Sequence, residues 1–184
     1  MSAISMKPIR PIYRTVFTSP LGPMSLLADD DALLGAYFVG QKHFEKGFKE
    51  TPVISTINPP LSQALSWLDA YFKGEMAELP ALAPLGTPFQ TRVWALLSEI
   101  PKGETVTYGQ LARSLNCQSA QAIGGAVGRN PLSLFIPCHR VLGASGQLTG
   151  YAGGLDKKIW LLNHEQAWCD SPLCDFTTEM RTLC

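Results

Sequence analysis

The sequence predicts an α/β N-terminal module, a small antiparallel sheet plus a helix, followed by a mostly α-helical C-terminal domain with a helix-turn-helix. Three observations carry that reading. β-prone runs punctuated by proline and glycine fill the chain up to Val39. Leu61, Leu65, Leu68 and Phe72 recur at helical spacing. After a proline-rich connector, Thr87 precedes Pro88 and Thr107 precedes Gln110 by three residues, both helix-start patterns.

Taken in order, Tyr13 to Ser19 and Met24 to Ala28 read as strands joined by the turn Pro20-Leu21-Gly22-Pro23, and Ala32 to Val39 as a third strand after Asp29-Asp30-Asp31. Pro60 to Lys73 is an amphipathic helix stopped by Gly74. Met76 to Thr87 has Pro80, Pro84 and Gly86 and no periodicity, so the boundary falls there: a supporting domain over 1–85, a second domain over 86–168, and a tail over 169–184 with no reading. Thr87 caps a helix that turns Phe89, Val93, Leu96, Leu97 and Ile100 to one face before Pro101 and Gly103 end it. Thr107 opens a short helix to Leu115, and Ser119 caps a second to Gly128; the pair, with its turn at Asn116 and Cys117, suggests a helix-turn-helix. Gly124, Gly125 and Gly128 sit oddly in that helix, since each glycine costs roughly 1 kcal/mol relative to alanine. Close approach of a ligand or of another helix would account for them. A last helix runs from Asp156, its expected cap, to Trp168, burying Ile159, Leu162 and Trp160.

Composition narrows the function classes. With 46% hydrophobic and 16% charged residues the chain folds as a globule. No apolar run nears the ~20 residues that span a bilayer, and Met1 to Arg14 lacks the apolar core of a signal peptide, so a cytoplasmic protein is expected. The five cysteines, Cys117, Cys138, Cys169, Cys174 and Cys184, have no C-x-x-C spacing and read as free thiols. Formal net charge is zero, but 86–168 carries seven basic and four acidic residues, net +3. No Asp or Glu lies between Thr105 and Leu155, whereas Arg113, Arg129 and Arg140 do, a pattern that suits a phosphate backbone.

The chemistry concentrates in Pro137-Cys138-His139-Arg140-Val141. A thiol reacts as thiolate, and a neighbouring base supplies that state. Around the pentad stand Gly86-Thr87-Pro88-Phe89-Gln90, Ile100-Pro101-Lys102-Gly103, Tyr108-Gly109-Gln110-Leu111-Ala112, Asn130-Pro131, Gly150-Tyr151-Ala152-Gly153-Gly154 and Leu161-Leu162-Asn163-His164-Glu165. In that order these segments resemble the DNA-binding and active-site domain of the O6-alkylguanine-DNA alkyltransferases. The resemblance implies direct, single-turnover repair of DNA, in which an alkyl group passes from O6-alkylguanine in the duplex to Cys138 with no cofactor, by a monomer. It implies catalytic roles for Cys138, for His139 linked to it by a water, for Glu165 holding the imidazole, and for Tyr108 donating to guanine N3.

Val141 and Cys138 would read the base through carbonyls, Ala152 through its N–H, Tyr151 would wall the pocket, and Asn130 would tie the reactive turn to the second DNA-binding helix. The DNA-facing set would be Gln121, Arg113, Arg129, Ser119, Gly124 and Gly125. The N-terminal module would support the site and carry no chemistry. Some members bind a structural zinc through that module; with no cysteine before Cys117, no metal is expected. One departure stands out: Gln121 occupies the position where the family places an arginine that fills the gap left by the flipped base. Two other readings compete. A non-catalytic, alkyltransferase-like lesion-binding protein would have lost the cysteine, and a cysteine hydrolase would need a better direct Cys–His hydrogen bond than adjacent residues give.

Overall fold

The computed structural model describes residues 10–168. The 169–184 tail with Cys169, Cys174 and Cys184, and the first nine residues, lie outside them. Strands β1 (Ile12–Ser19), β2 (Gly22–Ala28) and β3 (Leu33–Phe38) form the expected antiparallel meander, with Tyr13 opposite Ala28 and Met24 opposite Phe38. The sheet is not wholly antiparallel. A two-residue β4 (Val53–Ile54), too short to show a pattern in sequence, joins β1 in parallel, so the order is β3-β2-β1-β4.

Helix α1 (Pro59–Lys73) begins one residue before the expected start because Asn58 caps it, its side chain accepting from the Leu61 N–H. Gly74, at φ 77, ends it in a left-handed cap that only glycine adopts without strain. Leu61, Ala64 and Leu68 are fully buried against the sheet, worth roughly 1.5–3 kcal/mol for each leucine. Helix α2 (Pro88–Ser98) has a complete capping box between Thr87 and Gln90 and buries Val93, Trp94 and Leu97. A second box, between Thr107 and Gln110, opens α3 (Tyr108–Ser114); Ser119 caps α4 (Ala120–Val127) by accepting from Ala122 N–H. The Trp94 indole donates to the Ala126 carbonyl at 2.9 Å and so fixes α4 on α2.

The last helix departs from expectation. Helix α5 covers Leu155–His164, and Gly154, at φ 98, holds the cap position with no side-chain cap. Asp156 lies in the first turn instead, where its charge complements the helix dipole. Leu161, Leu162 and Lys158 are buried, whereas Ile159 and Trp160 are only half-buried. The helix therefore presents a neighbouring face to the core.

One apolar cluster runs from Met24 and Phe38 through Trp94 and Leu132 to Leu161, so both halves of the chain share a core. Edge strand β3 is covered by two segments, one from the connector before α2 and one from the coil that leads into the cysteine. Ala36 N–H donates to Pro131 O and the Ala36 carbonyl accepts from Ser133 N–H, and Leu33 pairs likewise with Ala81 O and Ala83 N–H. Those contacts quench an otherwise open sheet edge. They also pin the residues that lead into the cysteine. Among the described residues no helix is long and apolar enough to cross a membrane.

Candidate active site

Residues 131–137 run from β3 to the cysteine as a buried coil, including Leu134 at φ 74, a left-handed conformation unusual for leucine. Asn130 holds this coil in shape. Its amide nitrogen donates to Ile136 O at 2.8 Å and to Cys138 Sγ at 3.1 Å, and its oxygen accepts from Leu132 N–H. Pro137 then starts a single 3-10 turn, Cys138–Arg140, followed by strand β6 (Val141–Leu142), which pairs in parallel with β5 (Val106–Thr107) at the entrance to α3. Within that turn the Cys138 side chain meets Asn130, whereas the His139 side chain meets Glu165. Cys138 is 5% exposed. Burial pushes its thiol up; the Asn130 amide and the Lys158 ammonium oppose that shift without cancelling it.

His139 is fully buried, and its Nε2 lies 2.8 Å from Glu165 Oε1. A carboxylate only accepts, so Nε2 carries the proton and Nδ1 presents a lone pair. Nδ1 is buried with no hydrogen-bond partner among the described residues. Burial lowers the imidazole below its ordinary pKa, and Glu165 only partly restores it. Thiol and imidazole are therefore both neutral at rest.

Glu165, at the end of α5, is the hub. Arg140 donates from Nε to Oε2 at 2.7 Å and from Nη2 to Oε1 at 2.9 Å, and the Tyr71 hydroxyl donates to Oε1 at 2.6 Å. Burial alone would raise the carboxyl; the hydrogen bonds from His139 and Arg140 outweigh it and hold Glu165 well below the usual carboxylate range. Arg140 is thus not a surface cation, as its place in the acid-free stretch suggested. It is buried, and its third contact is Ile100 O. A buried carboxylate needs a paired charge, and the neutral imidazole does not supply one. Tyr71 reaches this hub from α1 in the first half of the chain, and no local signal foretells it.

A cleft of about 520 Å³ is lined by Tyr108, Gly124, Gly125, Arg129, Tyr151 and Ala152, among others. Cys138 and Val141 are not part of its lining, and Tyr108 and Tyr151 are the wall residues that stand near the Cys138 sulfur. Tyr108 and Tyr151 are half-buried; burial, and then the nearby Cys138 sulfur, raise both phenols, so both keep their protons as donors. A side chain at Gly124 would meet Tyr108 only at ordinary contact distance, 3.9 Å, and one at Gly125 only the flexible tip of Arg129, at 3.1 Å. Tight helix packing does not explain these glycines, whose backbone forms the cleft floor. Gln121, Ser119, Arg113 and Arg129 are exposed on or beside α4 and α3. Arg129 Nη1 donates to Gly125 O, which lays its guanidinium along the rim.

The Val141 carbonyl accepts from Lys158 Nζ at 2.6 Å, which leaves one lone pair for a ligand. Lys158 also donates to Thr149 O at 3.0 Å, and burial lowers its pKa to about 8. It joins α5 to β6. Its apolar flanks, Ile159 to Leu162, were the only hint of burial in sequence.

The arrangement makes a prediction about the thiol. A thiolate at Cys138 is stabilised when His139 holds the proton beside Glu165. His139→Ala and Glu165→Gln therefore raise the apparent thiol pKa by about one unit or more, and each unit slows alkylation at neutral pH roughly tenfold. The pH profile of iodoacetamide modification of Cys138 reads this directly. Unchanged profiles would disprove the link.

Comparison with known proteins places the chain. Residues 12–83 match the ribonuclease-like domain of 6-O-methylguanine DNA methyltransferase, and residues 88–167 match its DNA-binding domain. The methylated-DNA–protein-cysteine methyltransferase of Methanosarcina acetivorans is 44% identical over 158 residues, covering 84% of this chain and 98% of that protein. Its Mycobacterium bovis counterpart is 40% identical over 167 residues, covering 89% and 98%. A crystal structure of a Mycobacterium tuberculosis relative in complex with DNA superposes with TM-score 0.75 at 38% identity, over 84% of this chain and 93% of that one. Two matched domains in sequence order, and close relatives along nearly their whole length, establish that the chain belongs to the 6-O-methylguanine DNA methyltransferase family.

Proposed function

We propose that this protein repairs DNA directly, moving an alkyl group, methyl in the simplest case, from O6-alkylguanine in a duplex to its own Cys138. The observation that carries this reading is a buried thiol held by Asn130 beside a hydrogen-bonded His139–Glu165 pair, near a cleft walled by two phenols and floored by bare helix backbone. The Cys138 proton passes through a bridging water to His139 Nδ1, and Glu165 stabilises the imidazolium that forms. The thiolate attacks the alkyl carbon. The S–C bond forms as the C–O6 bond breaks, and the electron pair leaves with the guanine, where the Tyr108 hydroxyl donates to N3. The proton released by the thiol ends on the base. Atoms balance without cofactor or metal, and the thioether leaves the protein spent.

Helices α3 and α4 act as a helix-turn-helix that offers α4 to the minor groove, with Arg113, Arg129 and the Ser119 end of α4 near the backbone. Tyr151, Ala152, and the carbonyls of Cys138 and Val141 hold the flipped base. Residues 1–85 and 86–168 serve as supporting and reactive domains. Every group of the site comes from one chain, which fits a monomer, and a thiol that must stay reduced fits the cytoplasm. Mixing the protein with excess O6-methylguanine duplex and weighing it intact tests the reading: a gain of one methyl group per molecule is expected. Tight binding at unchanged mass would favour lesion recognition without repair.

Gln121 gives a further expectation. It is exposed at the start of α4 and carries no charge to fill the space vacated by a flipped base. Gln121→Arg speeds repair of a duplex about tenfold if it recovers ~1.4 kcal/mol of opening cost, and part of the gain fades with salt. Free O6-benzylguanine requires no flipping, so its rate stays nearly level. Equal gains on both substrates would place Gln121's effect in the pocket instead.

A further inference from the structure

The segment between β3 and β4 is the part of the N-terminal module that reaches the cleft. Lys42 N–H donates to the Ala152 carbonyl at 3.1 Å, so the loop is fastened to the base-pocket turn itself. Lys42 and His43 share the cleft wall with Tyr108, Gly125 and Arg129, and Lys46 and His43 border an adjoining hollow that also meets Arg129. The loop is tightly folded there, with His43 at φ 64 and Glu45 at φ 46.

The lysines of this loop, Lys42, Lys46 and Lys49, are all exposed, while its two acids are split, Glu45 buried and Glu50 exposed beside Lys49. Glu45 is 8% exposed and turned inward, where it accepts from Ser25 Oγ at 2.5 Å and lies 3.6 Å from Arg14 Nη1. The His43 imidazole is held below its ordinary pKa by burial and then by Lys42, Lys46 and Arg129, as expected for a concentrated positive field. Lys42 and Lys46 form no ion pair among the described residues, and exposed cations on the rim of a groove match a phosphate backbone.

We propose that the Gly40–Thr51 loop is a second DNA-contacting element, whose Lys42 and Lys46, extended by Lys49, bind backbone phosphates beside the extruded nucleotide, on the rim opposite α4. The N-terminal module then does more than support the reactive domain: it completes a two-sided clamp on the strand. The proposal rests on the reading of the protein as a DNA alkyltransferase.

The test is duplex affinity as a function of salt for the wild type and for Lys42→Gln/Lys46→Gln. Each phosphate contact adds about 0.9 to the slope of log affinity against log salt, so losing two lowers it by about 1.8. Between 50 and 200 mM salt the wild type then loses about twelvefold more affinity than the variant. Lys73→Gln/Lys102→Gln makes the same change in net charge around a separate hollow lined by Gly74, Lys102 and His164, and its slope stays at the wild-type value. A wild-type slope in the loop variant overturns the proposal and leaves the repair function standing. Equal losses in both double variants also overturn it, since a diffuse field would then suffice. A wild type that takes no methyl group from duplex DNA overturns the functional reading and this proposal together.

Discussion

Cys138→Ser binds an O6-methylguanine duplex with near wild-type affinity and transfers no detectable methyl group. A buried thiol whose pKa is already raised must form its thiolate with help from His139, and a serine hydroxyl, far less acidic, cannot be brought to reactivity by the same neutral imidazole. The loss is more than about a thousandfold in single-turnover rate, judged against the scale on which nucleophile removal is usually felt. Binding survives because the cleft walls and the rim of α4 do not depend on the sulfur. Transfer at wild-type rate by this variant would remove Cys138 from the reaction.

Arg140→Met is expected to be the most destabilising single change in the site, by about 3–5 kcal/mol. Methionine fills much of the arginine's volume, but Glu165 loses both guanidinium hydrogen bonds and is left as a buried carboxylate without a counter-charge. Glu165 has its pKa depressed on folding, so its contribution is present above the ordinary carboxylate pKa and is lost as pH falls through the folded value. Without Arg140 the folded value rises, so the variant's deficit against the wild type is largest near neutral pH and narrows as pH falls through the carboxylate range. Adding Glu165→Gln should recover part of the stability, because the neutral amide no longer needs the cation. Denaturant midpoints of the four proteins in that cycle decide the matter. A single-variant loss below about 1 kcal/mol would mean that Tyr71 and His139 already satisfy the carboxylate.

How far the sequence led depended on whether a feature was local. Capping residues Thr87, Thr107 and Ser119, and the stop at Gly74, act within a turn of where they stand, and the helices they delimit fall within two residues of their expected bounds. Asp156 misled because any acid near a helix start resembles a cap, while the actual geometry was set by Gly154 at a φ that other residues avoid. Arg140 misled for a different reason. Absence of nearby acids in sequence says nothing about Glu165, 25 positions on, which folds back onto it. An arginine between Cys138 and Val141-Leu142, in an apolar run, was a hint of burial that charge counting overlooked. Tyr71, 94 positions from its partner, and the Lys42–Ala152 tie across the two halves left no trace that a single sequence displays.

If the protein works as proposed, Cys138 itself receives the alkyl group. Proteolytic digestion after reaction with O6-methylguanine duplex, followed by fragment mass analysis, tests it most directly. One methyl group per molecule is expected, on the peptide that contains Cys138, and none on the peptide that contains the half-buried Cys117. Methyl on Cys117 or on a cysteine of the 169–184 tail, with Cys138 unmodified, would contradict it.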